Sequence, residues 1–171
     1  FYLCFGNKRP SRLMRARFDA MAPLTRPLMA QDPAAAEGLA GRTAATARYV
    51  AARGPWPVCC DTDVTYYPIG EAQFAAMLED LERAEHFIFL EYFIIREDSY
   101  MWRRILEVLE RKAAQGLDVR LMYDDLGSVA LLPGDYWLQM EKKGIKCLAF
   151  NPFVPFVSLV MNNRDHRKIL V

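Results

Sequence analysis

From Asp61 onward the chain alternates short β-prone apolar runs with stretches whose apolar residues recur every three or four positions, and few folds accommodate that alternation. Val64, Thr65, Tyr66 and Tyr67 form a first β-prone run, stopped by Pro68. Gly70 and Glu71 open a helical pattern in which Phe74, Met77, Leu78 and Leu81 share a face as far as about Arg83. Residues 86–95 are a continuous β-branched and aromatic run broken only by Glu91, the signature of a strand covered on both faces of a parallel sheet. Ser99 suits the N-cap of a second helix that carries Trp102, Ile105, Leu106 and Leu109 on one side and stops at Gly116. A strand over 119–123 ends in Asp124 and Asp125, a third helix over 136–143 ends at Gly144, and a strand over 145–150 is closed by Asn151 and Pro152. After a loop containing Pro155, residues 166–171 resume a strand pattern. The order β-α-β-α-β-α-β with short connections predicts an α/β sandwich with a largely parallel sheet and right-handed crossovers.

The first sixty residues differ in kind. They hold nine Lys/Arg against three Asp/Glu, a balance of +6, whereas residues 61–171 hold thirteen against eighteen, a balance of −5; the two sum to the net +1. Lys8, Arg9, Arg12, Arg15 and Arg17 directly follow the apolar start Phe1-Tyr2-Leu3-Cys4-Phe5, the layout of a cytoplasmic juxtamembrane segment. Those apolar residues fall far short of the roughly 20 that span a bilayer. The chain begins with Phe, so the expectation is a fragment from which an upstream, membrane-spanning part has been left off; a basic solvated tail is the alternative. Pro23, Pro27 and Pro33 mark a linker or broken helical segment, and the alanine-rich stretch 34–52 reads as a short helix or a helix pair interrupted by Gly38 and Gly41. Gly54-Pro55-Trp56-Pro57 ends it. Cys4, Cys59, Cys60 and Cys147 have neither zinc-site spacing nor the density of a disulfide framework, so reduced thiols in a cytosolic compartment are expected.

Residues able to carry chemistry gather near Val171. His166 and Lys168 are two apart at the start of an apolar run, so both side chains project from one face of the predicted strand. A neutral imidazole can attack a phosphodiester, and an ammonium one side-chain repeat away can neutralise charge on the phosphoryl oxygens, with no metal needed. A lone strand histidine is usually a structural one; the lysine on the same face shifts the balance toward a phosphate site. His86, at the start of an apolar strand without a charged neighbour two residues away, reads as structural. Asp124 and Asp125 stand where open α/β sheets place ligand loops, and helix capping or loop hydrogen bonding is favoured over a paired-acid metal site. Glu91 in an apolar strand needs a partner, either Arg120 on a neighbouring strand or a lysine outside this chain, and structural support is the preferred role. Arg167 should point away from His166, toward solvent. The apolar cluster Phe150, Phe153, Val154, Phe156, Val157, Leu159 and Val160 either joins the core or lines an acyl-chain path at a bilayer interface.

The stretch Asn163-Arg164-Asp165-His166-Arg167-Lys168-Ile169-Leu170-Val171 resembles the first half of the His-x-Lys-x4-Asp signature of the phospholipase D superfamily, and more narrowly its bacterial cardiolipin synthases. Supporting blocks are Tyr67-Pro68 with Gly70-Glu71, residues 87–93, Tyr123-Asp124-Asp125 with Gly127-Ser128, and Phe150-Asn151-Pro152-Phe153. The resemblance implies a phospholipase D-like α/β sandwich. Residues 1–33 would be a basic juxtamembrane segment and linker, 34–60 a helical connector, and 61–171 a first, incomplete half-domain cut within its His-x-Lys motif. It implies a phosphatidyltransferase at the cytoplasmic face of a bacterial cell membrane that joins two phosphatidylglycerol molecules into cardiolipin, with His166 as nucleophile. Lys168, Arg164 and Asn163 would bind the substrate phosphate. A second half of the same parent chain would complete the site, no cofactor would take part, and this chain alone would be inactive. Nucleic acid is not an expected partner, given the −5 balance of residues 61–171. A phosphodiester hydrolase of the same superfamily and a non-catalytic module binding anionic lipid stand as alternatives.

Overall fold

The computed structural model of the chain describes residues 12–30, 33–53, 56–60, 62–153 and 164–171. They divide into two compact units, one within residues 8–66 and one from Tyr67 to Val171.

The first unit is helical. Helix α1 (Arg12–Thr25) runs through Pro23 and passes into a 3-10 turn, Arg26–Met29. Near its end the Thr25 hydroxyl donates to the carbonyls of Met21 and Ala22 at 3.3 and 3.4 Å. The alanine-rich stretch is a helix pair, α2 (Pro33–Glu37) and α3 (Gly41–Arg53), and Gly41 enters α3 at φ +55°. Leu13, Phe18, Met21, Leu24 and Leu28 all stand exposed.

The second unit carries the sheet. Helix α4 (Gly70–Arg83) leads to β1 (Phe87–Tyr92), and α5 (Tyr100–Ala114) leads to β2 (Asp118–Asp124). A single turn, α6 (Asp125–Ser128), follows; α7 (Tyr136–Lys142) then precedes β3 (Lys146–Phe150), and β4 (Ile169–Leu170) closes the order. Spatial order is β3-β2-β1-β4, with β1, β2 and β3 mutually parallel and β4 antiparallel to β1. The α/β class and the mostly parallel sheet are therefore as expected.

Local chemistry sets the boundaries. The Ser99 hydroxyl accepts the Trp102 N–H at 3.1 Å, which starts α5, and the chain leaves that helix through Gly116 at φ +93°, where a Cβ would be strained. Trp102, Ile105, Val108 and Leu109 of α5 pack with Leu81 of α4 and Tyr136 and Met140 of α7 against Ile88, Leu90, Val119, Leu121 and Tyr123 of the sheet. Buried Lys112 donates to the carbonyls of Glu82 and Ala84 at 2.5 and 2.7 Å, closing the end of α4. Tyr136, fully buried, accepts the Trp102 indole N–H at 2.7 Å.

Four expectations differ from the structure, among them the strand over 166–171, which pairs only from Ile169 to Val171 and leaves His166 and Lys168 outside it. Residues 62–67 form no strand, and Val64 and Tyr66 are 79% and 84% exposed; β-propensity without a partner strand leaves the backbone unpaired. The run 86–95 pairs only as far as Tyr92, opposite Tyr123, because β2 turns into α6 one residue beyond Tyr123's neighbour Asp124. Among the described residues the helices cover one face of the sheet. The other face presents Phe87, Phe89, Met122, Leu148, Ile169 and Val171, with Leu148 and Val171 60% and 61% exposed. Apolar residues on both parities do not by themselves place a layer over each face, and the uncovered face also carries Glu91, Arg120 and Lys146.

Candidate active site

The site is built where the ends of β1 and β2 meet the approach to β4. That short strand is longer in hydrogen bonds than its two residues suggest, since the Val171 N–H donates to the Phe89 carbonyl at 3.0 Å and the Val171 carbonyl accepts the Phe89 N–H at 2.9 Å. Leu170 and Ile169 stand opposite Leu90 and Glu91, and Leu170 packs on the helical side against the core. His166 and Lys168 lie just before the paired residues, outside the strand, both side chains exposed.

Both reach Phe93, the residue after β1. The His166 ring lies 4.7 Å from the Phe93 ring centroid at 60°, an edge-on contact, and the Lys168 ammonium is 5.3 Å from the same centroid. The ammonium also donates to the His166 carbonyl at 2.7 Å. The predicted pair is thus brought together.

Asp124 holds the entry to this segment. Its carboxylate, with no exposed surface, accepts the Gly127 N–H at 2.9 Å as the cap of α6 and the Asp165 N–H at 3.0 Å. It also lies 3.3 Å from Nη1 of Arg164, which donates to the Asn151 carbonyl at 2.9 Å. The capping role favoured for the Asp124 and Asp125 pair is what is found: Asp125 accepts the Phe153 N–H at 2.6 Å. Arg164, expected on the substrate phosphate, has these contacts inward, with its side chain only 13% exposed. Asn163, Val154, Phe156, Val157, Leu159 and Val160 lie outside the described residues. His86 is exposed at the start of β1, and its carbonyl accepts the Asp118 N–H at 3.1 Å.

On the other side of the strand approach sits a charge cluster that sequence reading placed differently. Glu91 is partnered by Arg167, whose Nε is 2.6 Å from Oε1 at an angle too oblique for a hydrogen bond. Arg167 also donates to Asp165 through its backbone N–H at 3.2 Å and its Nε at 3.0 Å. Arg120, the partner expected for Glu91, instead pairs with Asp118 and lies 4.8 Å over the Phe89 ring. It stands on the far neighbour strand opposite Phe89, whereas antiparallel β4 carries Arg167 toward Glu91. Burial and the neighbouring Asp165 carboxylate raise the Glu91 carboxyl above its ordinary range despite Arg167. Asp165 is also penalised by burial, yet hydrogen bonds from Glu91 and Arg167 hold it below the ordinary range. Of the two carboxyls, Glu91 is therefore the one shifted toward its protonated form. Among the described residues no group of three or more His, Cys, Asp or Glu side chains is arranged to hold a metal ion.

No family model matches the chain, and no solved structure does. Curated proteins do match. A Staphylococcus epidermidis protein named cardiolipin synthase 2 is 37% identical over 65% of this chain, and a Geobacillus kaustophilus cardiolipin synthase is 34% identical over all of it.

The chain is a homologue of the cardiolipin synthases.

It spans only part of them: the matched stretch is 22% of the length of the cardiolipin synthase from S. epidermidis and 34% of that from G. kaustophilus. A Streptococcus mutans protein described only as uncharacterized is 49% identical over 76% of the chain and 28% of its own length. Homology to cardiolipin synthases at 34–39% identity agrees with the resemblance read from the His-x-Lys block and with the α/β sheet that presents it.

What sequence reading missed is Phe93. It closes the block 87–93 that carries part of the resemblance, yet nothing local to that apolar run marks it as a neighbour of His166 and Lys168; the sign was its place just after β1, level with the Gly127-Ser128 block after β2.

Proposed function

We propose that this chain is part of a membrane phosphatidyltransferase that forms cardiolipin from two phosphatidylglycerol molecules through a phosphohistidine intermediate. The observation that carries the reading is the convergence of exposed His166 and Lys168 on one aromatic ring, in a homologue of the cardiolipin synthases. An imidazole nitrogen of His166 attacks phosphorus, the bond to the glycerol headgroup oxygen breaks, and glycerol leaves with a proton from a second histidine outside this chain. The headgroup hydroxyl of another phosphatidylglycerol gives its proton back to that base and attacks phosphorus. The P–N bond then breaks, cardiolipin is released and His166 is regenerated. Lys168 neutralises the phosphoryl oxygens in both transfers. Arg164 serves by orienting the strand approach through Asp124, and Asn163 remains a candidate phosphate contact.

The +6 balance of residues 1–60 suits an anionic cytoplasmic membrane face, and no described helix is long and apolar enough to cross a membrane. The isolated 171 residues are expected to lack turnover, since the second histidine is outside them.

The test is cardiolipin formation from labelled phosphatidylglycerol by the longer protein carrying this chain, with and without His166→Ala. A loss of about 10²–10⁴-fold is expected, together with loss of an acid-labile phosphoryl label on the protein. Unchanged cardiolipin in the variant overturns the reading, and phosphatidic acid as the sole product identifies a hydrolase instead.

A further inference from the structure

We propose that Phe93 is the positioning residue for the His166–Lys168 pair, held in place by Gly127 and Ser128; the inference rests on the reading of that pair as catalytic. His166 and Lys168 are exposed and lie on the approach to an edge strand of two residues, so little backbone pairing restrains them. A lysine side chain free to turn about its four-carbon stem would hold a phosphoryl oxygen only part of the time. A rigid ring touching both side chains removes that freedom. The imidazole packs edge-on at 4.7 Å, which sets its plane, and the ammonium lies 5.3 Å from the ring centroid.

The choice of an aromatic partner has a chemical consequence. A carboxylate would restrain Lys168 equally well and would cancel the charge that a phosphate is to meet. The π face restrains the ammonium and leaves its charge intact.

The ring is itself fixed by the turn after β2. Buried Ser128 accepts the Ile95 N–H at 3.1 Å and donates to the Phe93 carbonyl at 3.4 Å, clasping the chain on both sides of Ile94. At Gly127 a Cβ would lie 2.3 Å from the Phe93 carbonyl oxygen and 2.9 and 3.0 Å from two ring atoms. Space, and not backbone conformation, demands glycine there, and the three nearest atoms all belong to Phe93. Two elements separated by more than thirty residues are thus shaped around this one ring.

The experiment has two arms. In this chain, which has two histidines, the ring protons of His166 should carry a ring-current shift in NMR spectra that Phe93→Leu abolishes and Phe93→Tyr keeps, while His86 is unmoved. In the longer protein, Phe93→Leu should lower kcat/KM about 10²-fold, as misplacement by about an ångström does. Phe93→Tyr should recover most of that loss, and Gly127→Ala should resemble Phe93→Leu. His166 signals that stay put in Phe93→Leu overturn the placement, as does Leu supporting turnover as well as Tyr. If His166→Ala leaves turnover intact, the catalytic reading fails, and the NMR arm still decides whether Phe93 orders the pair. Should Phe93→Leu not fold, the comparison of Gly127→Ala with Phe93→Tyr carries the same two outcomes.

Discussion

Asp124 should be the most costly single side chain to remove near the site. Its two oxygens serve the Gly127 N–H, the Asp165 N–H and the Arg164 guanidinium, all away from water, and the residues joined are up to 41 positions apart. Asp124→Ala strands two backbone donors, each costing about 1–3 kcal/mol when left without an acceptor. It also breaks a buried charge pair, a change that by itself costs about 3–5 kcal/mol. The losses overlap, because the groups relax together, so a total of about 4 kcal/mol is expected. Asp124→Asn keeps one oxygen but turns an amide NH₂ toward one of the former donors, and about half that loss is expected. With a urea m value of about 2 kcal/mol/M for a domain of this size, the midpoint should fall by about 2 M for Ala and 1 M for Asn. Circular dichroism in urea measures this, and hydrogen exchange should show protection lost first at the amides of Asp165 and Gly127. An Ala variant within about 0.5 kcal/mol of the parent, the range of ordinary surface changes, would refute the reasoning.

Two further outcomes follow from the electrostatics and burial. The Glu91 carboxyl is raised in the folded chain, so its contribution to stability is fully present below the unfolded carboxyl pKa and is lost as pH rises through the folded value. Urea titrations from about pH 4 upward should therefore show Glu91→Gln gaining on the parent as pH rises; a gain in the opposite direction contradicts the upward shift of the Glu91 carboxyl. Burial, reinforced by the Glu141 charge, pushes the Cys147 thiol up to about 12, whereas Cys59 and Cys60 are exposed. Site-resolved alkylation at pH 8 should label Cys59 and Cys60 and spare Cys147 until urea is added, because only about one in 10⁴ Cys147 thiols is then a thiolate; equal labelling in the native protein would show that Cys147 is not enclosed.

The helices and parallel strands were legible because their signals are local. Ser99 caps its own helix, Gly116 and Gly144 stop theirs at positive φ, and the spacing of Trp102, Ile105 and Leu109 names the buried face without reference to any partner. Val64 to Tyr67 misled for the complementary reason, since a strand is completed by a neighbour that propensity cannot supply. Glu91 was rightly marked as needing a partner, yet the partner was misassigned. Strand order brings Arg120 beside Phe89, and an antiparallel β4 brings Arg167 beside Glu91.

By itself, then, the sequence determined the class of fold, the two-residue spacing that puts His166 and Lys168 on one side, and the block through which the chain resembles the cardiolipin synthases. Periodicity and short motifs suffice for these, because each depends on residues close along the chain. Tertiary structure alone decided that Asp124 anchors the approach to the pair, that Arg164 turns inward, and that Phe93 stands beneath both side chains. Those relations join residues more than thirty positions apart, and only the sheet, by placing β4 antiparallel beside β1, brings them within contact distance.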